Sequence, residues 1–124
     1  MVDILNRAAV KVLIVEDGED QRFLLQRFFE LAGCEVTATE SAEAAMVAIA
    51  DELPDVAMID LILPGMNGWE LSTLIRKQWP QCVVVISSVL DVGSYPDSHA
   101  KLMKPVTRAH VQDVLETFVP GWAA

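Results

Sequence analysis

Several polar side chains in this sequence stand at or just after the ends of apolar runs. Glu16 and Asp17 follow VLIV, Asp60 is embedded in AMIDLIL, Ser87 and Ser88 close CVVVISS, and Lys104-Pro105 follows a weaker run at Lys101 to Met103. An Asp between Ile59 and Leu61 is costly in a core strand unless it finds partners. Three carboxylates brought together repel, and one would stay protonated unless a cation intervened. An oxygen-rich set of this kind suits Mg²⁺, which takes one or two carboxylates, several waters and often a phosphate. Lys104 adds a second positive charge. Metal and ammonium together would hold a phosphoryl group on a carboxylate oxygen, with Asp60 as the nucleophile. Singly, each residue has a plainer reading. Glu16 and Asp17 would cap a helix, Ser87 would be a hydrogen-bonded core serine, and Lys104-Pro105 an extended or turn dipeptide open to a cis bond. Together, each at a strand end, they are far more specific.

That convergence requires a particular framework. Five short runs read as buried strands: Lys11 to Glu16, Cys34 to Thr39, Val56 to Leu61, Cys82 to Ser87 and a weaker one at Lys101 to Met103. The first, third and fourth are almost continuously apolar, as strands covered on both faces are. Helical periodicity fills most of the gaps. Glu19 to Ala32 carries Leu24, Phe28 and Leu31 on one stripe beside Leu25, Phe29 and Ala32, with Gly33 as its stop. Ser41 caps a second helix to Asp51, with Ala45, Met46 and Ile49 inward. A third runs from Gly68 to Gln78 with Leu71, Leu74 and Ile75 inward, and Thr107 caps a last one through Val111, Val114, Leu115 and Phe118. VLDVGSYPDS, from Val89 to Ser98, shows no helical period and is broken by Gly93 and Pro96. The alternation predicts an α/β fold, a flavodoxin-like three-layer sandwich whose five-stranded parallel sheet runs in the order 2-1-3-4-5. Ligands bind such sheets at the carboxyl ends of the strands, where these polar residues fall.

The 124 residues make one domain, and 52% apolar content is enough for a core. The net charge of −9 argues against direct nucleic-acid binding. No run is long enough for membrane insertion, and the start MVDILNRAAV lacks the regions of a signal peptide. Cys34 and Cys82 read as reduced core thiols of a cytoplasmic protein, and zinc ligand spacing is missing. A flavin-binding or phosphate-hydrolysing α/β enzyme is disfavoured. Acidic Asp17-Gly18-Glu19-Asp20 stands where a phosphate loop needs bare N–H groups.

The chain resembles the receiver domain of two-component response regulators from about Lys11 to Phe118. The resemblance is carried by KVLIVED at 11 to 17, MIDLILPGMNGWEL at 58 to 71, VVVISS at 83 to 88 and MKP at 103 to 105. Its most specific part is the D-x-x-x-P-x-x-x-G spacing from Asp60 through Pro64 to Gly68. The resemblance implies a single receiver domain over 1–124, with its core at about 11–118. It makes Asp60 the phosphoacceptor, charged by a phosphohistidine on a histidine kinase or histidine phosphotransfer protein. Glu16, Asp17 and Asp60 would bind Mg²⁺ with the backbone carbonyl of Ile62. Ser87 would be the switch hydroxyl, Lys104 would pair with the phosphoryl group, and Pro105 would follow a cis bond. Such a domain turns over no separate substrate. With no output module after Phe118, it is expected to signal through protein contacts or shuttle phosphate, alone or within a larger regulator. Phosphorylation-independent interaction as a pseudo-receiver is the alternative.

The sequence departs from the family between Ser87 and Lys104. The gap is short, so the family's fourth helix is expected to be missing or reduced to a turn. Lys101 stands where the family often has an aromatic partner for the switch hydroxyl, with Tyr95 as a substitute. Ile62 and Val89 flank the family's path for hydrolytic water, which implies a long-lived phosphoryl group; otherwise they cover a hydrophobic rim. Gln21, Arg22 and Phe23 begin a helix beside which a kinase would dock, although Phe23 reads slightly better as core. Trp122 either folds back onto the domain or belongs to a loose end.

Overall fold

The computed structural model describes residues 9–122. The signal-peptide reading of the start MVDILNRAAV therefore lies largely outside the described residues. Chain order is β1 (Lys11–Val15), α1 (Glu19–Leu31), β2 (Glu35–Thr39), α2 (Ala42–Asp51), β3 (Val56–Asp60), α3 (Gly68–Gln78), β4 (Val83–Ser88), a 3₁₀ turn (Val92–Ser94), β5 (Ala100–Met103) and α4 (Arg108–Phe118). The strands match the expected runs to within one residue at each end. They form one parallel sheet in the order β2-β1-β3-β4-β5.

Alternation of side chains splits the core into two layers. Leu13, Val15, Ala57, Ile59, Val84 and Ile86 face α2 and α3. Val12, Ile14, Val56, Met58 and Val85 face α1 and α4. All five residues of β3 are buried, which explains why this strand reads as a continuous apolar run. Each large aliphatic side chain so buried contributes about 1.5–3 kcal/mol. The helices begin where the sequence places their caps. Ser41, Asn67 and Thr107 each accept a backbone N–H two or three residues into the following helix.

The α1 stripe is narrower than its periodicity suggests. Leu25 and Phe29 are buried, whereas Leu24 and Leu31 are 43% and 51% exposed. Phe28 and Ala32 pack partly buried beside the Leu25–Phe29 line, whereas Leu24 lies one position and Leu31 two positions off it, rotated about 100° and about 200° away. Phe23, two positions before Leu25 and so about 200° around the helix, is a surface residue, 59% exposed, and not core. Gly33 ends the helix with φ of 88°, the left-handed geometry that favours glycine. Trp122 does fold back, its indole N–H donating to the Ala32 carbonyl at 2.8 Å. Between β4 and β5 the chain makes only the 3₁₀ turn at Val92–Ser94, so the expected loss of a helix there is what the fold contains.

Candidate functional site

The carboxyl ends of β1, β3, β4 and β5 bring the polar residues to one rim. Asp60, the last residue of β3, lies in register opposite Ser87 of β4, and Ser87 lies opposite Leu102 of β5. Glu16 extends β1 by donating its backbone N–H to the Thr39 carbonyl at 3.0 Å. Glu16 and Asp60 are 2% and 5% exposed, whereas Asp17 is exposed. One oxygen from each of Glu16, Asp17 and Asp60 lies within 4.8 Å of the other two.

Lys104 enters this cluster from just beyond the end of the edge strand β5. Its ammonium donates to Asp60 Oδ2 at 3.2 Å and to Glu16 Oε1. Burial opposes its charge, but the hydrogen bond to Glu16 and the charge of Asp60 outweigh burial and hold the ammonium's pKa above the usual lysine value. The other oxygens of the two buried carboxylates accept backbone N–H groups. Asp60 Oδ1 receives Ile62 N–H at 3.2 Å, and Glu16 Oε2 receives Gly18 N–H at 3.0 Å. Both acids are thus aimed by their own following turns. The cluster still sets three carboxylates against one ammonium, all donors being hard oxygens. That chemistry fits a small divalent cation such as Mg²⁺, which would draw ligands from Glu16, Asp17 and Asp60.

Gly68 explains the spacing that follows Asp60. A Cβ built there would sit 2.2 Å from the Asp60 carbonyl oxygen and 2.6 Å from Leu61 Cα. Its N–H donates to the Leu61 carbonyl at 3.0 Å, so the first residue of α3 is pressed against the strand end that carries Asp60. Between them the chain turns at Gly65, φ 70°, and Glu43 of α2 accepts Met66 N–H at 3.0 Å. That hydrogen bond keeps the Glu43 pKa below the usual carboxylate value.

Ser87 is buried at the rim, and the Lys104–Pro105 peptide bond is cis. Ile62 and Val89 project into solvent, 52% and 70% exposed, so neither covers an apolar rim. Tyr95 does not substitute as a partner for the Ser87 hydroxyl. It is buried, with its own hydroxyl donating to the Ser88 carbonyl at 2.8 Å and approaching the Leu102 carbonyl at 3.3 Å. Sequence reasoning gave Arg22 a surface role only. Its guanidinium donates to the backbone carbonyls of Glu16 and Asp17, at 3.0 and 3.3 Å, and so fixes the turn that carries both acids. Glu43 was missed altogether, since nothing local links it to a loop 23 residues away. Both core thiols are free and buried, and burial raises each to about 11, as expected for inert cysteines. Among the described residues no helix is long and apolar enough to cross a membrane.

The family model "Response regulator receiver domain" matches residues 12–115. The sensory/regulatory protein RpfC of Xanthomonas campestris is 31% identical over 117 residues, covering 86% of this chain and 16% of that protein. A cyclic di-GMP phosphodiesterase of Thermotoga maritima is 38% identical over 105 residues, covering 85% of this chain and 26% of that protein. The chain thus spans about a quarter or less of the length of these curated relatives. The crystal structure of the receiver domain of NtrX from Brucella abortus superposes with a TM-score of 0.80 at 26% identity, covering 89% of this chain and 98% of that one.

Proposed function

The chain belongs to the response regulator receiver domain family, and from that premise we propose that it is a phosphorylatable receiver of a two-component phosphorelay. Receiver domains accept phosphoryl groups from histidine kinases, and this chain would take one from a phosphohistidine on a kinase or a phosphotransfer protein. The observation that carries the reading is the buried Asp60, with Glu16 and Asp17 beside it and Lys104 reaching in. One Asp60 oxygen attacks phosphorus, its O–P bond forms as the N–P bond to the imidazole breaks, and the freed imidazole takes a proton from water. Lys104 would pair with the transferred oxygens, a role supported by its hydrogen bond to Asp60. Ser87, opposite Asp60 on the neighbouring strand, is the hydroxyl nearest in register to answer the new charge. Glu16, Asp17, Asp60 and the Ile62 carbonyl would hold Mg²⁺, which when bound supplies positive charge against the crowded oxygens.

On this reading residues 1–124 form one cytoplasmic receiver domain that loses its own phosphoryl group slowly and turns over no other substrate. The phosphodiesterase activity named for the Thermotoga relative is not carried over, because the match covers 26% of that protein. The exposed aliphatic side chains of Ile62 and Val89 offer no polar atom to fix a hydrolytic water. Ile62→Asn is therefore expected to speed phosphoryl decay several-fold, and unchanged decay would remove this point.

The test is intact mass after incubation with acetyl phosphate and Mg²⁺. One added phosphoryl group is expected on the wild-type chain, labile to hydroxylamine and lacking in Asp60→Asn. A chain that takes up no phosphoryl group and binds no beryllofluoride with Mg²⁺ would instead act as a phosphorylation-independent interaction domain.

A further inference from the structure

We propose that Tyr95 is a positioning residue for Lys104, bracing from a non-helical connection the strand end from which Lys104 reaches Asp60. The inference rests on Lys104 acting as the phosphoryl-pairing group.

Tyr95 is 7% exposed and packs in the core layer that includes Leu71, Ile75 and Ile86. Its hydroxyl donates to the Ser88 carbonyl at 2.8 Å, and the same carbonyl accepts the backbone N–H of Lys104 at 2.8 Å. A carbonyl oxygen has two lone pairs and can serve both donors. Tyr95 therefore sits on the hydrogen bond that closes the β4–β5 ladder at its carboxyl end. It also lies 3.3 Å from the Leu102 carbonyl, which spans the seam from the β5 side. β5 has four residues and pairs only with β4, so few ladder bonds fix the point where Lys104 leaves the sheet.

The residue before Tyr95 is tied in the other direction. The Trp69 indole donates to the Ser94 carbonyl at 2.9 Å. Trp69 follows Gly68, whose Cα is pressed against the Asp60 backbone. The segment thus links the backbone beside the nucleophile to the backbone beside the ammonium. Phosphoryl transfer is sensitive to the placement of charged groups at the scale of an ångström, so slack here would be read as rate.

The test is a double-mutant cycle on the full chain, read as labelling rate by acetyl phosphate and as Mg²⁺-dependent beryllofluoride affinity. Tyr95→Phe keeps the buried ring and removes only the hydroxyl. It is expected to lower both readouts about five-fold, the equivalent of one ordinary hydrogen bond. In a Lys104→Ala background the same change is expected to have no effect. Trp69→Phe, which cuts the second tie, is expected to show a smaller loss with the same dependence on Lys104. Equal values for Tyr95→Phe and wild type would overturn the inference. So would the same loss in both backgrounds, because it would mark a general effect on the fold. A wild-type chain that neither labels nor binds beryllofluoride would overturn the phosphorelay reading as well, so the two failures are distinguishable.

Discussion

Two connections flank the candidate phosphorylation site, and they are built in opposite ways. The β3–α3 connection is fixed by short-range geometry: a glycine turn at Gly65, an Asn67 cap on α3, and Gly68 in contact with the Asp60 backbone. The β4–β5 connection has a single 3₁₀ turn with no side-chain cap, and it is held by hydrogen bonds from Trp69 and Tyr95 to backbone carbonyls. The first tolerates almost no change in backbone shape. The second is held by single side-chain hydrogen bonds along its length and by the mutual hydrogen bonds of His99 and Val84 where β5 begins. In this fold a helix-free connection on one side of the site stands beside a tightly packed turn on the other.

The largest expected effect separates the two connections with one kind of substitution. Gly68→Ala places a Cβ into the Asp60 carbonyl and should cost about 3 kcal/mol in denaturant unfolding. A loss under about 1 kcal/mol would mean that the contact is soft. Asn67→Ala removes the cap that receives Glu70 N–H at 2.9 Å and should cost about 1 kcal/mol.

A pH series sharpens the contrast through two groups that titrate at opposite ends. Glu43, which holds Met66 N–H, has a lowered folded pKa. Its support for the β3–α3 turn is present above the ordinary glutamate pKa and is lost as pH falls through the lowered value. Burial raises the Tyr95 pKa, with the hydrogen bond to Ser88 opposing it. Its support for the β4–β5 connection is present below the ordinary tyrosine pKa and is lost as pH rises through the raised value. Amide exchange at Met66, corrected for intrinsic rates, should therefore quicken in acid. Tyrosinate absorbance should report the alkaline event alone, since the chain has one tyrosine. Loss of both supports at the same end of the pH range would break the comparison. The smallest effect is expected for Gly93→Ala in the 3₁₀ turn. Nothing lies within 4 Å of the added Cβ, so stability should stay within about 0.5 kcal/mol of wild type.

Much of this molecule is legible along the chain, because its physical causes are local. Two-face burial makes β3 read VAMID, Asn67 and Thr107 announce helices by capping them, and the Asp60–Gly68 spacing records a backbone contact eight positions away. Strand order follows from alternation and the handedness of crossovers, which brings Glu16, Asp17 and Asp60 to one rim. Only the tertiary structure decides which of several apolar stripes is buried. Leu25 and Phe29 face the sheet while Phe23, Leu24 and Leu31 do not, a matter of how α1 is seated on its neighbours. It also decides the long-range hydrogen bonds. Glu43 reaches Met66, Trp69 reaches Ser94, and the Tyr95 hydroxyl selects the Ser88 carbonyl instead of the Ser87 side chain. Such bonds depend on where two distant backbones come to rest, and neither partner carries a local pattern that encodes the other.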